Sequence, residues 1–250
     1  MTAASTKMAL MAVDASHETG RTPPPRAVLL DALGTLVDLD DPVGNLTAAL
    51  AERGLDVPPE DAGVALRAEI AYYREHHDEA VDEPSLERLR DRCAEVFRAA
   101  LRGPARESDP IRMREALLAG LRFRAFDEVP GVLRALRAQG TRLVVVSNWD
   151  VSLHGVLRDT GLNDLLDGVL TSAEERISKP DSRIFARALR LAGGVTPREA
   201  WHVGDDLVAD VGGAQTAGIT PVLVDRDGSA AAAPGVRTVR TLAELLPGGR

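Results

Sequence analysis

Three things are scarce in this sequence: lysine, long apolar runs and cysteine. Of its 30 basic residues only Lys7 and Lys179 are lysines, and Lys7 lies near the N-terminus. The folded part therefore meets almost every need for positive charge with arginine. No apolar run approaches the roughly 18 residues of a membrane span. "MALMAV" (residues 8–13) is too short for the apolar stretch of a secretory signal. The single cysteine, Cys93, rules out an internal disulfide and suits a reducing compartment. It reads as a small apolar filler on a helix, because no paired His is evident. A soluble cytoplasmic protein is expected. The net charge of −8 argues against a nucleic-acid backbone as partner.

What is present is enough apolar material for a full core. The 250 residues are 44% hydrophobic and 27% charged, which suits one large domain or a core with an insert. Residues 1–25, ending "TGRTPPPR", are small, polar and proline-rich, and are expected to form a disordered tail. "AVLL" (27–30) reads as a short buried parallel strand. From 43 to 121 the pattern is helical: "VGNLTAALAERG", "PEDAGVALRAEIAYYREHH", "PSLERLRDRCAEVFRAALRG" and "IRMREALLAGL" carry helix start and stop signals. After residue 126, strands such as "TRLVVVSN", "DGVLTS", "AWHVGD" and "TPVLVD" alternate with helices. That alternation predicts an α/β core of Rossmann-like type, a parallel sheet with helices on both faces. The core is expected over 26–42 and 122–250. Residues 43–121 are expected to be a helical cap inserted after the first strand, over the strand ends where open α/β sheets bind ligands.

Four strand ends carry candidate chemistry. "VLLDALGTLVD" (28–38) delivers Asp31 to the end of the first strand, followed by Gly34 and Thr35. A lone Asp there can also be a turn residue. "VVVSN" ends in Ser147 and Asn148, fit to hold an anion or simply to cap a helix. "ISKPDSRIF" places Lys179 in a loop. A loop lysine is usually a solvated charge, but in a chain that makes its cations from arginine it suggests a required point charge. "HVGDDLVADVGGAQTAG" gathers Asp205, Asp206 and Asp210, carboxylates that repel unless a cation or basic group sits among them.

Taken together, these four stations resemble the motifs of the haloacid dehalogenase superfamily, with the cap placed as in its C1 type. The resemblance covers roughly residues 27–226. It implies a hydrolase acting on a small phosphorylated substrate through an aspartyl-phosphate on Asp31, with Mg2+ as cofactor. Asp31 matches the nucleophile, Ser147 the second motif, Lys179 the third, and Asp205 with Asp210 the acidic fourth. Thr35 would orient Asp31. Ser147, the Asn148 amide and Lys179 would hold phosphoryl oxygens. Asp31, the Leu33 carbonyl and Asp205 would ligate Mg2+, with Asp206 and Asp210 as further ligands or supports.

The sequence departs from the phosphatase pattern at Leu33, where a second Asp would protonate the leaving oxygen. General acid–base help is worth about 10²–10⁴ in rate, so substrates with good leaving groups, such as acyl or aryl phosphates, should suffer least. Asp38, Asp40 and Asp41 are best read as a solvated loop. Haloacid dehalogenases also lack the second Asp, because a halide leaves without a proton. A dehalogenase-like hydrolase with Arg67 or Arg74 at the halide, or a member that binds phosphorylated ligands without turnover, are the alternatives. The dehalogenases' fourth motif relies on Ser and Asn, whereas "GDDLVAD" is of the phosphatase type. A cap lysine for Schiff-base chemistry is missing. In the cap, "YYREHH" (72–77) puts Tyr73 and His77 on one face, as a substrate-facing cluster or a half-buried helix end. Trp149 would line the site or pack under the cap.

Overall fold

The computed structural model describes residues 24–231 and 233–248. Of the expected disordered tail, residues 1–23 lie outside this range. Pro25, the last residue of the expected tail, is buried, and its carbonyl accepts a hydrogen bond from Thr141 Oγ1 at 2.9 Å.

Among the described residues eight strands are formed: β1 (Ala27–Leu30), β2 (Val37–Leu39), β3 (Phe123–Ala125), β4 (Arg142–Ser147), β5 (Gly168–Thr171), β6 (Ala200–Gly204), β7 (Thr220–Val224) and β8 (Arg237–Val239). Six make one parallel sheet in the order β5-β4-β1-β6-β7-β8. β1 lies at its centre, with Leu29 facing Val144 on β4 and His202 on β6. The alternation of strand side chains splits the core in two. Val28, Leu30, Leu143 and Val145 pack with Val132, Leu133 and Leu157 on one side. Ala27, Leu29, Val144 and Val146 pack with Ile184, Phe185 and Ala188 on the other. Both faces are thus covered by helices, the expected α/β architecture.

Between β2 and β3 run four helices: α1 (Pro42–Glu52), α2 (Pro59–His76), α3 (Glu83–Ala100) and α4 (Pro110–Gly120). Asp41, Asp82 and Asp109 cap α1, α3 and α4 by accepting from first-turn N–H groups. This block has its own apolar core, including Leu46, Leu66, Leu89, Phe97 and Met113. Buried Cys93 belongs to it as an aliphatic filler, its thiol pushed up by burial.

The helices of the sheet region are α5 (Val129–Ala138), α6 (Leu153–Asp159), α7 (Ser172–Glu175), α8 (Ser182–Leu191) and α9 (Gly213–Thr216). A π-helical turn, Leu207–Gly212, precedes α9, so this last helical stretch begins four residues ahead of the expected "VGGAQTAG". β8 and the ribbon in which β2 pairs antiparallel with β3, Val37 facing Ala125, are additions to the expected strands. Three-residue strands are too short to display a period of two. Asp38 therefore lies in a strand rather than a solvated loop. Asp40 pairs with Arg124 at 3.4 Å, and Asp41 caps α1. Among the described residues no helix is long and apolar enough to cross a membrane.

Candidate active site

The strand order sets Asp31, at the end of β1, between the ends of β4 and β6. Its N–H donates to Val203 O at 2.9 Å, which continues the sheet by one residue and fixes where the side chain leaves it. Asp31 Oδ1 accepts from Ser147 Oγ at 2.9 Å and from Lys179 Nζ at 2.6 Å. Among the described residues Oδ2 has no hydrogen-bond partner, and the residue keeps 7% exposure. One oxygen is anchored and the other is available, as a nucleophilic carboxylate requires.

Lys179 is buried, and its ammonium also meets Asp210 Oδ1 at 2.6 Å. Its loop is clamped by Asn148. The Asn148 side chain donates Nδ2 to Lys179 O at 2.9 Å and accepts from Lys179 N at 2.7 Å. The side-chain amide of Asn148 is thus committed to the loop, and what it can offer an anion is its main-chain N–H. Burial works against the charged ammonium, but Asp210 and Asp31 outweigh it and hold Lys179 protonated.

Asp210 also accepts from buried His202, whose Nε2 lies 2.8 Å from Oδ1, and from Asp206 N at 3.0 Å on Oδ2. Burial opposes its ionisation, yet Lys179 and His202 hold its carboxyl well below the usual range. The widened π-helical turn carries Asp210 back over β6, where Gly204 makes room: a Cβ there would lie 2.2 Å from Asp210 Cγ. Gly34 does the same for Asp205, whose Oδ2 would be 2.4 Å from an added Cβ, and Gly34 has φ +76°.

Oxygens of Asp31, Asp205 and Asp210 lie within 4.8 Å of one another. One ammonium cannot offset three carboxylates. Burial, then the charges of Asp31 and Asp210, push Asp205 up to about 7. Burial likewise raises Asp31, with Lys179 acting against it. Asp206 does not join this group among the described residues. Its Oδ1 accepts from Val208 N and Ala209 N, both at 2.7 Å, so its carboxylate caps the π-helical turn. Of the two parts expected of it, ligand or support, the visible contact is a supporting one, its N–H on Asp210 Oδ2 at 3.0 Å.

Thr35, expected to orient Asp31, is fully buried, and among the described residues its Oγ1 has no hydrogen-bond partner; the hydroxyl that bonds Asp31 is that of Ser147. The turn carrying Gly34 and Thr35 is held instead by Arg226. Arg226 Nε donates to Gly34 O at 2.9 Å and Nη2 to Thr35 O at 2.6 Å, while Nη1 meets Glu128 at 2.9 Å. The guanidinium stacks 3.4 Å over Phe126. Leu33, by contrast, is 37% exposed.

Tyr73 and His77 do share a face, their rings 5.8 Å apart. Burial raises the Tyr73 phenol, and the nearby Asp150 carboxylate adds to the shift. Arg67 and Arg74 are exposed. Trp149 is buried and packs on Phe123, with ring centroids 5.3 Å apart. His202 and Arg226 were not singled out from the sequence. His202 had a usable signal, since strand alternation puts it on the face of Gly204. Arg226 had none, being one arginine among many.

Comparison with known proteins places this geometry. A family model for haloacid dehalogenase-like hydrolases matches residues 25–218. Haloacid dehalogenase-like hydrolase domain-containing protein 3 of Mus musculus is 32% identical over 206 residues, covering 80% of this chain and 81% of the mouse protein. Against the human protein of that name, identity is 40% over 132 residues, and the match spans about half of each chain, 50% and 51%. A phosphoserine phosphatase of Thermus thermophilus is 39% identical over 136 residues, 52% of this chain and 53% of that protein. Among solved structures, a 2-haloacid dehalogenase from Pseudomonas syringae pv. Tomato superposes with a TM-score of 0.59 at 25% identity, covering 88% of this chain and 96% of that one.

Proposed function

The chain belongs to the haloacid dehalogenase-like hydrolases, and we propose that it is a metal-dependent phosphohydrolase of small phosphorylated metabolites that carries the phosphoryl group on Asp31. The observation behind this is the split environment of Asp31, whose Oδ1 is held by Ser147 and Lys179 while Oδ2 has no hydrogen-bond partner among the described residues, in a carboxyl that clusters with Asp205 and Asp210. The similarity to a phosphoserine phosphatase points the same way.

The acidic cluster suits a divalent cation. Asp31, Asp205 and Asp210 bring three carboxylates against the one ammonium of Lys179, and Asp205 is the group left without an offsetting charge. Asp31, Asp205 and the Leu33 carbonyl would hold Mg2+. Asp210, with three donors already on its oxygens, would enter through its last lone pair and otherwise steady Lys179. When bound, the ion would offset negative charge on the phosphoryl oxygens.

The residues of this chain account for the rest. Asp31 Oδ2 attacks phosphorus, the bond to the leaving oxygen breaks, and the phosphoryl group stays on the carboxylate. Ser147 Oγ, the Asn148 main-chain N–H and Lys179 Nζ receive the phosphoryl oxygens and oppose the charge that grows there. Water then attacks phosphorus, releases phosphate and restores Asp31. Leu33 supplies no proton in either half, so acyl and aryl phosphates are the favoured substrates. The helical block between β2 and β3 would act as the cap that excludes water. Cytoplasmic placement belongs to the same proposal.

A second reading is dehalogenase-like hydrolysis of a carbon–halogen bond, favoured by Leu33 and by the structural similarity to the 2-haloacid dehalogenase. The three clustered carboxylates weigh against it. A panel of acetyl phosphate, p-nitrophenyl phosphate and 2-haloacids, assayed with Mg2+ and with EDTA, separates the two, with Asp31→Asn as the blank. Mg2+-dependent phosphate release supports the proposal. EDTA-insensitive halide release would replace it with the second reading, and binding of phosphorylated compounds without product would point to a member that has lost turnover.

A further inference from the structure

Asp78 sits in the single 3-10 turn His77–Glu79 that follows α2, yet its carboxylate bonds to the sheet domain. Oδ1 accepts from the hydroxyl of Ser172, the first residue of α7. Oδ2 accepts from Ser178 Oγ at 2.5 Å. Both partners adjoin the site. Ser172 Oγ accepts from the Trp149 N–H at 3.2 Å, one residue beyond Asn148. Ser178 immediately precedes Lys179. A main-chain bond runs alongside, from Val151 N to Ala80 O at 3.1 Å. His77 Nε2 lies 3.2 Å from Asp78 Oδ1 without a hydrogen bond to it.

An Asp on a short exposed turn ordinarily points both oxygens at water. Asp78 retains 46% side-chain exposure, so it adds little to stability. Both of its oxygens are nevertheless spent on hydroxyls across the boundary between the helical block and the sheet. The covalent connection between those two parts is the β2–β3 ribbon, and the Asp78 turn is a second, non-covalent one.

We propose that Asp78 is a positioning residue: with the helical block closed, it fixes Ser178 and thereby the main chain of Lys179, completing the clamp that Asn148 provides. Closure and correct placement of the ammonium become one event. An open block leaves Ser178 without its partner across the boundary and the main chain of Lys179 clamped by Asn148 without that support, with Lys179 less well placed for the transition state. What Lys179 then acts on rests on the phosphohydrolase reading; the contact itself does not.

The test compares the full-length protein with Asp78→Ala, Asp78→Asn and Ser178→Ala. Amide hydrogen exchange at Val151 and across 172–181 reports the contact, and kcat and KM for p-nitrophenyl phosphate report its use. Asp78→Ala should exchange faster in both segments. Its kcat should fall about tenfold with little change in KM, the scale of one charge-assisted hydrogen bond. Asp78→Asn should recover part of the loss, because its amide oxygen still accepts from one hydroxyl. Ser178→Ala should reproduce the kinetic loss while Val151 stays protected. Unchanged exchange in Asp78→Ala, or faster exchange with an unchanged kcat, overturns the inference. If the wild-type protein fails to hydrolyse the probe, the proposed function fails, and exchange alone then decides whether Asp78 holds the two parts together.

Discussion

The ammonium of Lys179 lies 2.6 Å from Asp31 Oδ1, with the two side chains 2% and 10% exposed. A second carboxylate, Asp210, meets the same nitrogen at the same distance. Lys179→Met should therefore leave two buried carboxylates without the ammonium they share and cost about 3–5 kcal/mol of stability, together with the activity. Urea denaturation of the variant measures the first, and a stability within error of wild type would contradict the pairing. Lys179→Arg should not rescue activity, because a planar fork does not replace a point charge between two carboxylates.

Leu33 is partly exposed, so a carboxylate there is compatible with folding. Leu33→Asp should raise hydrolysis of simple alkyl phosphates by about 10²–10⁴-fold, the usual worth of a general acid. Rates on acetyl phosphate should change far less. Equal effects on both substrates would show that leaving-group protonation is not what Leu33 removes.

Burial and the neighbouring Asp31 and Asp210 push the Asp205 carboxyl up to about 7 in the folded, metal-free protein, against 3.8 for the free side chain. Between those values the folded state binds a proton that the unfolded chain has released. This group's contribution to stability therefore declines as pH rises from 3.8 towards 7 and changes little above it. Mg2+ needs the ionised form, so the Tm gain from added Mg2+ should be small near about pH 5 and large near about pH 8. Thermal melts with and without the ion check this. Equal gains at both pH values would remove Asp205 from the metal site.

Gly204→Ala should lower stability by about 1–3 kcal/mol, the usual cost of overpacking, because the added carbon would lie 2.2 Å from Asp210 Cγ. The displaced carboxylate would also release one side of Lys179, so kcat should fall. Gly218→Ala is a useful contrast. Gly218 has φ +72° and its nearest neighbour is 3.7 Å away, so it should lose stability through backbone strain without a comparable drop in the activity of the folded fraction.

The parallel core could be read from the sequence because its signals are local. A short apolar strand ending in Asp31, and strands alternating with helices after residue 126, are patterns along one dimension. Asp31, Ser147, Lys179 and Asp205 were visible because each closes or follows such a segment, and Lys179 stood out against a background of arginine. The parts that Thr35, Asp206, His202, Arg226 and Asp78 play were decided only by tertiary structure. The Thr35 hydroxyl finds no partner among the described residues, and Asp206 turns to the N–H groups of its own helical turn. Asp78 reaches hydroxyls 94 and 100 residues away. Periodicity places a side chain on a face or at a strand end. Which hydrogen bond it then makes depends on groups that only folding brings within 3 Å, and no spacing along the chain encodes that distance.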